Sequence, residues 1–246
     1  MKPTSPNPAP ASPAVLAFGA HPDDIEFGCG GIVARETQAG RGAHFVICSR
    51  GEAATNGTPI RRAAEAEKAA ALLGASVEFI DLGGDAHFEV RVAHVLLLAQ
   101  IIRRVAPRIV LAPTLVENQH PDHPKLGRMV REAARLARYG GVKELNATPA
   151  HAIDQLLFYA VTPGAEPTDL ARIVIDVSDP KIMALWKAAM EAHATQRQTR
   201  EYGELQLVRA RLNGLLCGVS HAIPLWPNDA LAFDSLAPLQ RAARRF

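Results

Sequence analysis

Short apolar runs alternate along the chain with longer stretches in which apolar residues recur at helical spacing. Ala14-Val15-Leu16-Ala17-Phe18 is apolar at every position, as a parallel strand buried on both faces requires. Ala43 to Cys48, Val77 to Ile80 and Ile109 to Ala112 repeat that signature, and Gln155 to Val161 and Arg172 to Val177 carry it toward the C-terminus. Between them, Pro59 opens a helix that runs to Leu73 and stops at Gly74. Val90 to Val105 places Val92, Val95, Leu96, Ala99, Ile102 and Val105 on a helical period. Further helices are predicted over Ile32 to Ala39, closed by Gly40, over Lys125 to Tyr139, closed by Gly140-Gly141, from Pro180 onward, and over Leu205 to Leu216. Strands and helices in alternation predict βα units, and so a single Rossmann-like α/β domain with a mostly parallel sheet flanked by helices.

Length and composition admit one large α/β domain as readily as two small ones. The 246 residues, 48% of them hydrophobic, can bury a full core, placed here over residues 14–246. Residues 1–13 hold five prolines and no apolar run, which predicts a disordered tail rather than a signal peptide. A net charge of +2 leaves no nucleic-acid footprint, although Arg241, Arg244 and Arg245 make the end of the chain locally basic. No segment has the roughly 18 consecutive apolar residues of a membrane span. Cys29, Cys48 and Cys217 are odd in number and scattered, which argues for a reducing, cytoplasmic compartment.

The polar residues are concentrated where strands end. His21-Pro22-Asp23-Asp24 follows the first strand, and Asn118-Gln119-His120-Pro121-Asp122-His123 follows the fourth. In an open α/β sheet ligands collect beyond the carboxyl ends of the strands, so neighbouring strands would bring the two clusters to one edge. Adjacent carboxylates on irregular backbone diverge, and one can bind a cation while the other stays free as a base. His21, Asp24 and His123 are the candidate ligands, three from two loops, leaving a tetrahedral zinc one open position, as a catalytic site requires. Gly28-Cys29-Gly30-Gly31 is not a dinucleotide fingerprint, because the sixth position counted from Gly28 is Val33; close packing is its expected role. Cys29 lies near the site, as a packing residue in preference to a thiolate ligand. Arg62 and Glu65 share a helix face, which on spacing alone reads as a solvated ion pair.

Ala20-His21-Pro22-Asp23-Asp24 with His120-Pro121-Asp122-His123 resembles the LmbE-like, or PIG-L-like, family of zinc-dependent N-acetyl sugar deacetylases. The resemblance continues through Gly57-Thr58, Arg62-Ala63-Ala64-Glu65, Leu73-Gly74 and Ile109 to Ala112. Ile175-Asp176-Val177-Ser178, Lys187, His193 and Gln196 are similar to the members that act in low-molecular-weight thiol biosynthesis. It departs from those members at His221 and Ile223, where they tend to carry an aromatic residue and a glutamate. The resemblance implies one zinc ion per chain on His21, Asp24 and His123, with other divalent metals admissible. Asp23 then takes a proton from metal-held water, and His120 stabilises the oxyanion or protonates the leaving amine as an imidazolium. Asp122 orients His120, and Arg62 reaches the substrate. An N-acetyl amino sugar is the implied substrate, with another small-molecule amide, such as a thiol conjugate, or a non-catalytic metal-stabilised binding module as alternatives. Family members often form trimers or hexamers, so a homo-oligomer is expected.

Overall fold

The computed structural model describes residues 14–198, 201–239 and 242. The proline-rich stretch 1–13 and the basic Arg241, Arg244 and Arg245 lie outside the described residues. Among the described residues one seven-stranded sheet forms the middle layer. Its strands are β1 (Val15–Gly19), β2 (Ala43–Ile47), β3 (Ala75–Phe79), β4 (Ile109–Pro113), β5 (Gln155–Tyr159), β6 (Ile173–Asp176) and β7 (Ala222–Pro227), ordered β3-β2-β1-β4-β5-β7-β6. The strands from β3 to β5 run parallel, and β7 runs antiparallel to both β5 and β6. The fold is therefore the Rossmann-like α/β arrangement expected from the apolar pattern.

Among the described residues six α-helices cover the sheet: α1 (Asp24–Gln38), α2 (Pro59–Leu72), α3 (Val92–Val105), α4 (Asp122–Ala137), α5 (Pro180–Ala192) and α6 (Tyr202–Leu216). Alternate residues of each strand face opposite layers. Val15 and Ala17 of β1 pack with Phe45, Ile47 and Trp186 on one side, while Leu16 and Phe18 pack with Leu98, Ile102 and Val130 on the other. Local signals start two of the helices. The Thr58 hydroxyl accepts from Arg61 N at 3.3 Å before Pro59, and the Asp179 carboxylate accepts from Lys181 N at 2.7 Å before Pro180.

Two elements differ from the expectation. Helix α1 begins at Asp24, eight residues before the predicted Ile32, and runs straight through Gly28, Gly30 and Gly31. Those glycines lower helix propensity, but a Cβ on Gly28 would stand 2.2 Å from the Tyr159 ring and one on Gly30 2.9 Å from Trp186. Close packing against two buried aromatics outweighs the propensity. Strand β7 was hidden because Pro224 and Pro227 lack the N–H that a ladder uses, and its antiparallel direction escapes the βα pattern.

A third close approach fixes α4. A Cβ on Gly127 would lie 2.4 Å from the Pro113 carbonyl oxygen, which is backbone and has nowhere to move. Gly127→Ala is expected to destabilise the protein by about 1–3 kcal/mol, as overpacked sites do. Thermal unfolding checks it, and an unchanged midpoint would show that α4 tolerates displacement.

Candidate metal centre

Strands β1 and β4 are neighbours whose connections leave in opposite directions, so a crevice opens between their carboxyl ends. The segment after β1 supplies His21, Asp23 and Asp24; the segment after β4 supplies Gln119, His120, Asp122 and His123. The two clusters meet. Asp24 Oδ1 lies 3.1 Å from His123 Nε2, and Asp24 Oδ2 lies 3.5 Å from His21 Nδ1. Asp24 is aimed by backbone, since its Oδ2 accepts from Ala20 N at 2.8 Å and His21 N at 2.9 Å. Burial alone would raise the Asp24 carboxyl, but His123 and His21 outweigh it and hold the group well below the usual carboxylate range. Burial likewise lowers His21, yet Asp24, Asp122 and Asp85 raise it well above the ordinary value.

Asp23 stands apart from this set. Its φ of 118° lies in the left-handed region, an unusual position for a non-glycine residue and one that clusters at functional sites. Arg62 Nη2 sits 3.2 Å from Asp23 Oδ2 and donates to the Pro22 carbonyl at 2.8 Å. Burial pushes the Asp23 carboxyl up to about 6, and Arg62 opposes that rise. The solvated Arg62–Glu65 pair suggested by spacing is not the observed partnership. Glu65 instead accepts from Thr195 N at 3.1 Å and faces Arg61 at 3.4 Å, which frees Arg62 for the site.

Asp122 also departs from expectation. Its carboxylate accepts from Ala86 N at 2.7 Å and Phe88 N at 3.3 Å and lies 3.4 Å from His21 Nε2. Only its backbone N–H reaches His120, donating to Nδ1 at 3.3 Å. The segment after β3 draws the carboxylate to His21, so Asp122 contacts a candidate ligand rather than orienting His120 through its side chain. His120 is lowered by burial and by the neighbouring His21 and His123.

Asp85 enters the cluster without having been singled out. Its Oδ1 lies 3.0 Å from His21 Nε2 and 3.8 Å from His120 Nε2. Its place in the sequence, Gly83-Gly84-Asp85 after β3 at the same sheet edge, is a weak signal that gains meaning only from this contact. Gln119 was in the second cluster without a role. Its Oε1 meets His123 Nδ1 at 3.1 Å while its amide nitrogen donates to Thr114 O and Val116 O. His193 is buried 3.4 Å from Glu26, and Gln196 lines the cleft while donating to Asn56 O at 3.2 Å. The Cys29 thiol is fully buried and pushed well up by burial, so it is no thiolate.

The residues fit a divalent cation. His123 Nε2 is buried and has no polar partner other than the facing Asp24 Oδ1 at 3.1 Å, as two donor atoms that share a metal ion would be arranged. Four aspartates surround the spot, and one ligand atom from each of His21, His120 and His123 falls within 4.8 Å of the others, as does a second grouping of His21, Asp85, His120 and Asp122. The cluster opens into a cleft of about 370 Å³.

Residues 16–134 match the family model described as PIG-L: GlcNAc-PI de-N-acetylase. The diacetylchitobiose deacetylase of Thermococcus kodakarensis is 27% identical over 199 residues, 74% of this chain and 69% of that protein. The family match places residues 16–134 in the PIG-L-like, or LmbE-like, family. Not every similar protein is a deacetylase by name. The 4-oxalmesaconate hydratase of Pseudomonas putida is 31% identical over 157 residues, 57% of this chain, and the match spans only 60% of the hydratase's length. Among solved structures, the conserved protein TT1542 of Thermus thermophilus superposes with a TM-score of 0.80 at 29% identity, covering 93% of this chain and 99% of that one.

Proposed function

We propose that the chain hydrolyses an N-acyl group, acetyl foremost, from an amino sugar or its glycoside, with a zinc ion held by His21, Asp24 and His123. The observation that carries this reading is Asp23, a buried carboxylate outside the donor set, gripped by Arg62, with its carboxyl pushed up to about 6. A base of that strength is ionised near neutrality and still takes protons readily. A zinc ion at the donor set lowers the pKa of a water it holds and polarises a carbonyl oxygen. Asp23 takes the proton of the attacking water and passes it to the leaving amine. His120 accepts at Nδ1 from Asp122 N, so its Nε2 carries the hydrogen and offers a neutral donor to the oxygen that gains charge. This replaces the imidazolium expected from the resemblance, since burial and two histidine neighbours lower His120. The buried Cys29 and Cys48 and the absence of disulfides among the described residues support a reducing, cytoplasmic setting.

A second reading, hydration of a carbon–carbon double bond, is favoured by the hydratase relative. The cleft lining weighs against it. Among the described residues that line the cleft, Arg62 is the only lysine or arginine, and it already faces Asp23 and Asp85. Thr55, Thr162, Gln196 and Gln206 are neutral hydrogen-bonding groups that suit sugar hydroxyls better than the carboxylates of a multiply charged acid. Incubating the zinc-loaded protein separately with N-acetylglucosamine, diacetylchitobiose and 4-oxalmesaconate tests the choice. Acetate from either sugar supports deacetylation; hydration of the acid with no acetate from the sugars would favour the second reading.

The pH profile follows from Asp23. The base works only when deprotonated, so activity falls as pH drops through its pKa, and a bound cation pulls that value below the metal-free one. The acid limb is therefore expected at or below about pH 6. Arg62→Gln removes the cation that lowers Asp23 and is expected to move the limb to higher pH. A limb that stays put, measured as kcat against pH, would assign it to another group.

A further inference from the structure

We infer that Asp85 is a positioning residue, fixing His21 as the Nε2–H tautomer so that Nδ1 presents its lone pair to the metal ion. The inference rests on the reading that His21, Asp24 and His123 hold that ion. Two carboxylates converge on one ring nitrogen: Asp85 Oδ1 at 3.0 Å and Asp122 Oδ2 at 3.4 Å from His21 Nε2. A nitrogen facing two carboxylate acceptors carries the hydrogen. In the neutral ring the lone pair is then on Nδ1, the atom 3.5 Å from Asp24 Oδ2.

His123 is arranged as the mirror case. Gln119 Oε1 takes its Nδ1–H, which leaves the Nε2 lone pair facing Asp24 Oδ1 at 3.1 Å, with no other polar partner. Each imidazole therefore turns its lone pair to one oxygen of the same carboxylate, and each has its other nitrogen held by an acceptor from outside the ligand set. Such outer partners set the tautomer and orientation of ligating histidines.

Asp85 is built to stay where it is. The Asp81 carboxylate accepts from Gly83 N at 2.8 Å and Gly84 N at 2.9 Å, and both glycines have positive φ, so the chain turns back over the sheet edge. Asp85 N then donates to Glu52 at 3.1 Å, and Asp85 Oδ2 accepts from Ala53 N at 3.3 Å. These bonds tie the carboxylate to the segment after β2. One of its oxygens is engaged by backbone and the other faces His21.

Chelator competition on the full-length, metal-free protein, titrated with zinc, tests the assignment beside His123→Ala as a reference for a lost ligand. Asp85→Ala is expected to weaken zinc binding about 10–100-fold, the usual cost of an outer-shell partner. Asp85→Asn keeps an oxygen that accepts the same Nε2–H and is expected to remain within about 10-fold of wild type, on the same scale. Long-range hydrogen–nitrogen correlation spectra of the zinc-loaded wild type are expected to show His21 protonated at Nε2, with that single tautomer lost in Asp85→Ala. Unchanged zinc affinity in Asp85→Ala, or a His21 protonated at Nδ1, would overturn the inference while leaving the metal site standing. Asp85→Asn as damaging as His123→Ala would overturn it by making Asp85 a ligand. Failure of the wild type to bind zinc would remove both the inference and the reading beneath it.

Discussion

Asp23→Asn is expected to bind zinc like the wild type and to lose hydrolysis by about 10²–10⁴-fold, the share that a positioned general base supplies. The substitution is a narrow one. Asn keeps the size of the side chain and, like Asp, tolerates positive φ better than other non-glycine residues do, so the φ of 118° adds no new strain. It also keeps an oxygen that can accept from Arg62, whose Nη2 lies 3.2 Å away. What disappears is the ability to take a proton. Equilibrium zinc binding and acetate release, measured on the same preparation, separate the two functions. Retained turnover would move the base elsewhere, and lost zinc binding would place Asp23 among the ligands.

His123→Ala carries the other large effect. Its Nε2 is buried and lies 3.1 Å from Asp24 Oδ1, and an alanine offers no donor atom at that place. Removing an outer partner of a ligating histidine costs about 10–100-fold in metal affinity, and removal of the ligand itself is expected to exceed about 100-fold. Hydrolysis is lost in parallel and returns in part at high zinc concentration. Chelator competition measures the affinity. A variant that holds zinc as tightly as wild type would exclude His123 from the donor set.

The strands and most helices were legible because each carries its own period. Runs such as Phe45-Val46-Ile47 are buried on both sides and read as parallel strands from composition alone. The beginning of α1 was not legible, because the benefit of Gly28 and Gly30 depends on Tyr159 and Trp186, more than a hundred residues away. The two His/Asp clusters were legible from spacing and from their place after strands. Asp85 was not, because a single aspartate after a strand becomes informative only when the turn at Gly83-Gly84 is seen to bring it to His21. The side-chain partners of Asp122 and Arg62 were misjudged for the same reason. Neighbours in sequence, His120 and Glu65, were the available candidates, whereas the fold offered His21, Asp23 and Asp85 from other loops.

The central claim is that one divalent ion on His21, Asp24 and His123, served by Asp23 as base, performs amide hydrolysis. The most direct measurement is acetate release from an N-acetyl amino sugar while metal-free protein is titrated with zinc, for wild type and Asp23→Asn side by side. The account requires wild-type activity to rise from zero and level off at one zinc per chain, with Asp23→Asn taking up the same equivalent and staying inactive. Full activity in the chelated protein, or in zinc-loaded Asp23→Asn, would contradict it.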